Sequence, residues 1–327
     1  MGRRLVLLAP IGAAFLVWLV VFIVGDLWHL FADRWFMTVT MVFGSFIAGA
    51  SSEGGGAVAF PVMTLLFEIP PPVARNFSLA IQSVGMVAAA YLILATRIPV
   101  AGRSILWATL GGAPGVLLGT LFVVPHAPAP FVKMLFVSFW LAFGVALWAK
   151  NHWLDRPTAD DLPVLARGES LTFVLVGFCG GIVTSLLGSG IDIVTFSYTT
   201  MRYGLSEKVA TPTSVVTMAI NTVVGFFVHL VVVRDFGAEE MGYWLVCIPV
   251  VLIFAPIGAW MISLRARLFV AKALYAIIVV QFVGACYVLQ PSGMLLVFTV
   301  VVFFVGLVLF ALFLGPPTRW HGGNGAS

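Results

Sequence analysis

The feature that most constrains this chain is the length of its apolar stretches without charge. Residues 273–318 contain no Asp, Glu, Lys or Arg, and a run of about 20 apolar residues is enough to cross the hydrocarbon core of a bilayer as a helix. Over the whole chain 61% of residues are hydrophobic and only 9% are charged, whereas a soluble domain has about 25% charged residues. The sequence therefore predicts an all-α, polytopic membrane protein that has the lipid bilayer as its solvent.

The charged and sulfur-containing residues exclude several other classes of protein. The net charge is +4, but in a membrane protein Lys and Arg mark cytoplasmic loops, so no nucleic-acid partner is expected. The three cysteines are scattered and offer neither a disulfide framework nor metal-ligand spacing. No metal and no cofactor is expected. The first apolar segment is longer than the core of a cleavable signal peptide, and we interpret it as a retained span.

Two parts of the sequence carry the same motifs in the same order. The matched stretches are 44–56 with 177–190, 73–78 with 209–214, and 113–115 with 255–258. Each match is weak alone, but their common order and similar spacing indicate an internal duplication, which is frequent in membrane transporters.

Each copy opens with a segment of unusual length, 37–67 in the first and 171–201 in the second. A glycine cluster interrupts each segment, Gly54-Gly55-Gly56 in one and Gly188-Ser189-Gly190 in the other. One span needs only about 20 residues, and each glycine costs a helix about 1 kcal/mol relative to alanine. Each segment is thus either one broken span or a hairpin that enters and leaves on the same side.

The distribution of Lys and Arg favours hairpins. If both segments are hairpins and the N-terminus is inside, only Arg34, Arg75, Lys133 and Arg234 lie outside, and the other 13 of the 17 basic residues lie inside. If both segments cross the bilayer, the same count gives 10 inside and 7 outside. The hairpin arrangement follows the positive-inside rule better. Its full spans are 5–25, 76–96, 104–124, 131–149, 209–233, 242–264, 273–289 and 294–314.

This arrangement predicts five parts and an inverted repeat. They are an N-terminal transmembrane helix (1–36), repeat 1 (37–149), a cytoplasmic linker (150–170), repeat 2 (171–289), and a final helix with a short cytoplasmic tail (290–327). Each repeat holds one re-entrant hairpin and three full spans, an odd number, so the two copies have opposite orientations and both termini are cytoplasmic. Inverted repeats with interrupted helices are a recurring plan of secondary transporters.

The order of motifs also resembles a known family. A glycine-rich segment, a turn (Ile69-Pro-Pro-Pro72; Gly204-Leu-Ser206) and a small polar motif (Asn76-Phe-Ser78; Thr211-Pro-Thr-Ser214) all occur twice. This pattern resembles the TauE/SafE family of sulfite and organosulfonate transporters over about residues 37–289. The resemblance implies transport of a small anion, often a sulfur oxyanion or a sulfonate, across a bacterial inner membrane. The chain departs from the family's usual pattern at Glu53 and Arg75.

A transported anion needs partial positive charge, which the N-termini of the half-helices after the glycine clusters supply. Polar side chains at the start of the following spans could add donors, and the Arg75 guanidinium offers a planar fork suited to sulfonate or carboxylate oxygens. The alternative is that the glycines permit close helix packing and that the hydroxyls bond to neighbouring carbonyls. The predicted substrate-binding residues are Gly54, Gly55, Gly56, Arg75, Asn76, Ser78, Gly188, Ser189, Gly190, Thr211, Thr213 and Ser214.

Two acids lie beside the glycine clusters, Glu53 and Asp192. An ionisable residue within a membrane is a functional candidate by default, and a carboxyl that takes up and releases a proton could couple that proton to anion movement. The alternative is a structural ion pair with Arg75 or Arg202. His229 is interpreted as a polar tip at the headgroups, with a proton relay as the second reading.

The sequence thus predicts a secondary transporter of a small organic or sulfur-containing anion, coupled to protons, in the inner membrane. A passive anion channel is the alternative. A membrane-embedded enzyme is disfavoured because the histidines are scattered and no phosphate-binding loop occurs. The expected partners are the anionic substrate and the lipid bilayer, and the sequence leaves a homodimer open.

Overall fold

The structure, a computed structural model, describes residues 2–153, 159–163, 167–264 and 267–314. Twelve α-helices make up nearly all of this described part, which contains no strand. They are α1 (Gly2–Val24), α2 (Leu30–Ala50), α3 (Gly56–Pro61), α4 (Pro71–Ala95), α5 (Gly102–Leu118), α6 (Ala129–His152), α7 (Arg167–Leu187), α8 (Ile191–Arg202), α9 (Glu207–Phe227), α10 (Ala238–Leu264), α11 (Arg267–Leu289) and α12 (Gly293–Phe313). Helices α3, α5 and α9 continue as short π-helical turns, Val62–Leu66, Gly119–Val123 and Val228–Val233.

Eight helical segments of the described part are long and apolar enough to cross a membrane. They are Leu27–Ala50, Pro71–Ala95, Gly102–His126, Ala129–His152, Arg167–Leu187, Glu207–Val233, Ala238–Met261 and Gly293–Phe313. Many apolar side chains on these helices face outward, as a lipid-facing surface requires. The chain is therefore a multi-pass membrane protein, as the sequence predicts.

The first glycine cluster reverses the direction of the chain. Ala48, near the end of α2, lies 3.6 Å from the position that a Cβ on Gly55 would take. Farther from the break, the rings of Phe36 and Phe67 stack with their centroids 4.0 Å apart. Residue numbers fall along one arm as they rise along the other, so α2 and α3 are the antiparallel arms of a hairpin.

The second cluster reverses the chain in the same way. The N–H of Ile191 donates to Thr184 Oγ1 at 2.9 Å beside the break, and Phe173 packs against Tyr198 and stacks on Tyr203 two to four turns away. The hairpin arms are unequal in both copies. Helices α2 and α7 have 21 residues each, about 31 Å at 1.5 Å per residue, and they begin earlier in the sequence than the predicted hairpins.

Glycine makes both reversals sterically accessible. The φ angle is 68° at Gly54, 75° at Gly188 and 149° at Gly190. A left-handed conformation costs other residues about 1–2 kcal/mol because their Cβ approaches the following carbonyl. The glycine clusters therefore set where each hairpin turns.

Other glycines bring each long arm against a helix of the other half. Helix α2 packs on α10 through Gly49 and Gly258, and α7 packs on α5 through Gly111 and Gly177; a Cβ at any of these would collide with a backbone carbonyl of the facing helix. Close backbone approach through small residues is how helices associate in lipid. For these glycines the packing interpretation is sufficient.

The segments that follow α4 and α9 also form hydrogen bonds to the other half of the protein. After α9, the Asp235 carbonyl accepts a hydrogen bond from Asn76 Nδ2 at the start of α4 (3.1 Å). After α4, the Ala101 N–H donates to Thr213 Oγ1 at the start of α9 (2.8 Å). Each connection thus covers the start of the corresponding helix in the other half.

Candidate functional site

The two hairpin tips meet inside the protein. Ser189 Oγ, in the second break, donates to the Glu53 carbonyl in the first break at 2.9 Å. Helix α4 joins them, because Gln82 Nε2 donates to the Gly188 carbonyl at 2.8 Å. Glu53, Ser189 and Asp192 are fully buried, and Gln82 nearly so. The structure therefore brings both predicted glycine clusters and both predicted acids into one polar cluster, which we call the tip junction (residues 53–56, 188–192, Ser78 and Gln82).

The tip junction has no room for larger residues at its glycines. A Cβ on Gly54 would lie 2.5 Å from Gln82 Oε1 and 2.7 Å from both Asp192 Oδ2 and Ser189 Oγ. A Cβ on Gly188 would lie 2.6 Å from Ser78 Cβ. These distances are shorter than van der Waals contact, so both breaks depend on glycine for the approach as well as for the turn.

Asp192 closes the N-terminus of α8 with its own carboxylate. Its Oδ1 accepts hydrogen bonds from the N–H groups of Gly190 and Ile193, both at 3.0 Å, and its Oδ2 accepts one from Ser189 Oγ at 3.3 Å. Thr184 Oγ1 accepts the N–H of Ile191. The donors that a helix N-terminus normally offers are thus already used by side chains of the same hairpin.

Glu53 has a different environment. Neither oxygen of its carboxyl group has a hydrogen-bond partner in the described part of the chain. None of the hydrogen bonds found there uses the N–H of Gly54 or Gly55 either. A buried, unpaired carboxylate is costly. Glu53 is therefore a candidate to bind a proton or a ligand.

The alternative of an ion pair between Arg75 and these acids is not what the structure shows. The buried guanidinium of Arg75 binds Asp235 Oδ2 at 3.3 Å and Asn76 Oδ1 at 2.9 Å. On its other side Asp235 Oδ1 accepts a hydrogen bond from the Nδ1–H of His229 at 2.7 Å. Only the backbone of Arg75 reaches the tip junction, where its carbonyl lies beside Gly188.

These contacts lower the pKa of Asp235, and they show that the interpretation of His229 has to be corrected. Burial raises the pKa of Asp235, but the hydrogen bond from His229 and the charges of His229 and Arg75 outweigh it, so the pKa of Asp235 lies below its ordinary value. The interpretation of His229 as a headgroup tip is wrong, because the residue is only 1% exposed. Its place beside Asp235 makes it part of the packing between the end of α9 and the start of α4.

The polar residues at the start of α9 are not joined to the tip junction by any hydrogen bond of the described chain. Thr213 Oγ1 donates to the Val209 carbonyl and Ser214 Oγ to the Thr211 carbonyl. This is the bonding to neighbouring carbonyls that the alternative interpretation describes. Ser78 differs, because its buried hydroxyl has no partner and its Cβ faces Gly188.

Sequence reasoning missed Gln82 and Asp235. Gln82 is an amide in a mostly apolar helix, four residues after Ser78 and hence on the same helix face, and this spacing was the available signal. Asp235 lies in a short connection, and nothing local in the sequence indicates that it meets Arg75, 160 residues away.

The tip junction holds two carboxyl groups, which can bind and release protons. An anion between two carboxylates would be repelled by both, so an anion can bind there only if this negative charge is reduced. Among the described residues, no group of three or more His, Cys, Asp and Glu side chains could hold a metal ion.

One comparison with known proteins gives a match. The model of the sulfite exporter TauE/SafE family matches residues 37–285, a region that runs from within α2 to within α11 and includes both hairpins. No match was found among the curated proteins or among the solved structures.

Proposed function

Because the chain belongs to the TauE/SafE sulfite exporter family, whose members are membrane transporters and not enzymes, we propose that it is a secondary transporter of a small sulfur-containing or organic anion, such as sulfite or a sulfonate, in the bacterial inner membrane. The observation that carries this proposal is the meeting of two glycine-broken hairpins at a buried polar junction. Interrupted helices that meet between two repeats are the usual substrate site of secondary transporters.

The proposed topology places the hairpins on opposite faces of the membrane, with both termini in the cytoplasm. The packing of each long arm on a helix of the other half supports a repeat with swapped contacts, and the positive-inside rule supports the orientation. Single cysteines placed in 97–103 and in 150–170, after Cys179, Cys247 and Cys286 are replaced, test it. A label that cannot cross the membrane should reach both positions only from the cytosol, and labelling of either from the periplasm contradicts the topology.

The proposed substrate site is the tip junction, which is closed in this structure, so binding of an anion requires the two hairpin tips to move apart. Its donors are the N–H groups at the start of α8 and those of Gly54 and Gly55, with Ser78 and Ser189 as hydroxyl ligands. Asp192 now occupies the α8 donors, so an anion has to take its place there. Protonation of Asp192 and Glu53 would lower the negative charge that opposes the anion, and this requirement is the physical basis for proposing proton coupling. A role for Thr211, Thr213 and Ser214 stays a prediction.

Arg75 is proposed to attract and orient the anion at the outer end of this path, together with Asn76. Its guanidinium is one of the few buried cations of the described chain, and Asp235 holds it as an anionic substrate would. Arg75→Ala should abolish binding of sulfite and of a small alkanesulfonate to purified protein, measured by isothermal titration. Arg75→Lys is the matched control, because it keeps the charge and loses the planar fork. Wild-type affinity in a folded Arg75→Ala protein removes Arg75 from the site.

Proteoliposomes separate the transporter from its alternative and test coupling. A carrier shows saturable counterflow of labelled anion, whereas a passive channel does not. We expect Glu53→Gln or Asp192→Asn to remove the dependence of net transport on a pH gradient while counterflow persists. If both variants keep the wild-type dependence on the pH gradient, these acids do not couple protons to the anion.

A further inference from the structure

We propose that Gln82 completes the coupling site at the tip junction: its amide oxygen accepts the hydrogen bond from a proton carried by Asp192 Oδ2, and this proton joins α4 to the second break. The inference rests on the proton-coupled transport proposed above, and it assigns Gln82 as a positioning residue that the sequence did not single out.

The orientation of the Gln82 amide is fixed by two backbone carbonyls. Nε2 donates to Ser78 O at 2.9 Å and to Gly188 O at 2.8 Å. Carbonyl oxygens can only accept, so the amide cannot be turned by 180° without facing two acceptors with a third. Gln82 Oε1 must therefore point away from them, and in the described chain this buried oxygen has no donor.

Gln82 Oε1 and Asp192 Oδ2 border the same point above Gly54. Gln82 Oε1 lies 2.5 Å from the point above Gly54 where a Cβ would stand, and Asp192 Oδ2 lies 2.7 Å from that same point. Asp192 Oδ1 is occupied by two N–H groups. Among the described residues, Oδ2 receives only the long contact from Ser189, whose hydroxyl makes a shorter bond to the Glu53 carbonyl. With Asp192 ionised, these two acceptors border one space, and the described residues supply no good donor to either of them.

A proton on Asp192 Oδ2 would supply the missing hydrogen-bond donor without requiring additional space. A hard cation such as Ca²⁺ takes six to eight oxygens at about 2.3–2.6 Å, which requires a cage. The tip junction is too crowded for a methyl group at Gly54 or Gly188, whereas a proton needs no added volume. Once Oδ2 is protonated, it becomes a donor and Gln82 Oε1 becomes its acceptor.

The neighbouring groups define what else responds to this proton. Glu53, from the first break, is the other carboxyl group close enough to interact electrostatically with Asp192. From α4 comes the neutral Gln82, and the Arg75 guanidinium on the same helix is engaged with Asp235. The second hairpin itself contributes the hydroxyls of Thr184 and Ser189. Glu53 is therefore the residue to vary alongside Gln82.

The proton links the anion site to the contact between the halves. When a proton from the aqueous phase forms an O–H bond at Asp192 Oδ2, the neutral acid becomes a weaker acceptor at Oδ1, and the N–H groups of Gly190 and Ile193 become available to an anion. When the O–H bond breaks and the proton leaves, Oδ2 and Gln82 Oε1 repel, and the carboxylate takes these donors back. Proton and anion thus bind together and leave together.

Two substitutions at Gln82 should move the pH dependence in opposite directions. Gln82→Leu removes the acceptor and destabilises the protonated site, so the midpoint of the pH profile of anion counterflow should fall by about one unit, a tenfold weaker proton affinity. Gln82→Glu places a second carboxyl beside Asp192, and two carboxyls that share a proton retain it to higher pH, so the midpoint should rise. A merely structural role predicts no such opposite shifts.

Gln281→Leu is the matched control. Gln281 Nε2 also donates to a backbone carbonyl of the first hairpin, that of Ala57 at 2.7 Å, and its Oε1 is also a buried acceptor without a partner in the described chain. Gln281 contributes none of the three atoms nearest to the position that a Cβ on Gly54 would take. We expect Gln281→Leu to keep the wild-type midpoint even if it lowers stability.

The outcomes separate the inference from the function on which it rests. If the wild type shows no pH-dependent transport, the proposed proton coupling is wrong. If the wild type is pH-dependent and a folded Gln82→Glu protein keeps the same midpoint, Gln82 does not hold the proton, whether or not Gln82→Leu folds. If transport follows a Na⁺ gradient at constant pH and Gln82→Leu loses that dependence, the junction binds a metal cation and the proton assignment is overturned.

Discussion

The two breaks are alike in geometry and unlike in chemistry. Each reverses the chain at glycines with positive φ, and each ends in the same buried junction. The second break has used its donors internally, because Asp192 accepts the N–H groups of Gly190 and Ile193. In the first break, the Glu53 carboxyl has no hydrogen-bond partner among the residues that the structure describes.

This difference shows that two breaks with similar backbone geometry can have different electrostatics. Asp192 is both a helix cap and a candidate proton carrier, so its loss should affect folding and coupling together. The side chain of Glu53 makes no hydrogen bond in the described part of the chain, so its replacement should affect coupling with little effect on folding. The predictions below test this division, first through the glycines that the breaks share and then through the acids that distinguish them.

The largest effect is expected at the glycines, and it should be larger in the second break. A Cβ at Gly188 meets Ser78 Cβ and the Arg75 carbonyl, which cannot move easily, whereas a Cβ at Gly54 meets only the ends of side chains. Overpacking costs about 1–3 kcal/mol, and a left-handed φ adds about 1–2 kcal/mol. Gly188→Ala should therefore lower the unfolding temperature in detergent more than Gly54→Ala.

Gly12→Ala is the control for these variants, because a Cβ at Gly12 meets no atom within 4 Å. Its unfolding temperature should equal or exceed that of the wild type. If Gly54→Ala proves as harmful as Gly188→Ala, the side chains around the first break are as rigid as backbone and the contrast in packing is lost.

How far the sequence predicted these regions follows from the same contrast. The glycine clusters predicted both reversals, because few other residues tolerate that backbone, and the apolar runs predicted the spans. The partners of the polar groups were not predictable, because hydrogen bonds such as that between Gln82 and Gly188 join residues 106 positions apart. The pairing of Arg75 with Asp235 was missed for the same reason, since a single sequence carries no signal for a contact between two helix ends.

A smaller effect is expected at the acids, and here the two breaks should differ in sign. Asp192→Ala removes the acceptor of the Gly190 and Ile193 N–H groups at the start of α8, and leaving a buried donor unsatisfied costs about 1–3 kcal/mol. Glu53→Gln removes no hydrogen bond and replaces a buried unpaired carboxyl by a neutral group of the same shape, so it should leave stability unchanged or raise it. Thermal unfolding of both variants at pH 7 measures the difference.

Asp192→Asn keeps this comparison free of packing changes. Asparagine retains an oxygen that can accept the two N–H groups, so the stability of this variant should lie near that of the wild type. If Asp192→Ala is also as stable as the wild type, the carboxylate does not stabilise α8, and the chemical distinction between the breaks is confined to transport.

The smallest effect concerns the outer support of the second break, where Gly188 packs against the backbone of Arg75 and Asp235 holds the guanidinium. Because the folded pKa of Asp235 is lowered, its contribution to stability is complete above its ordinary pKa of about 3.9 and is lost as the pH falls through the lower folded value. Its side chain is 36% exposed, so we expect less than about 1 kcal/mol. The difference in unfolding temperature between the wild type and Asp235→Asn should be constant from pH 7 to pH 5 and shrink below pH 4.

Thr213→Val is the control. It breaks the neutral hydrogen bond between Thr213 and Ala101, and it should lower stability by an amount that does not change with pH. A pH-independent difference for Asp235→Asn would mean that the ion pair with Arg75 adds nothing to the support of the second break.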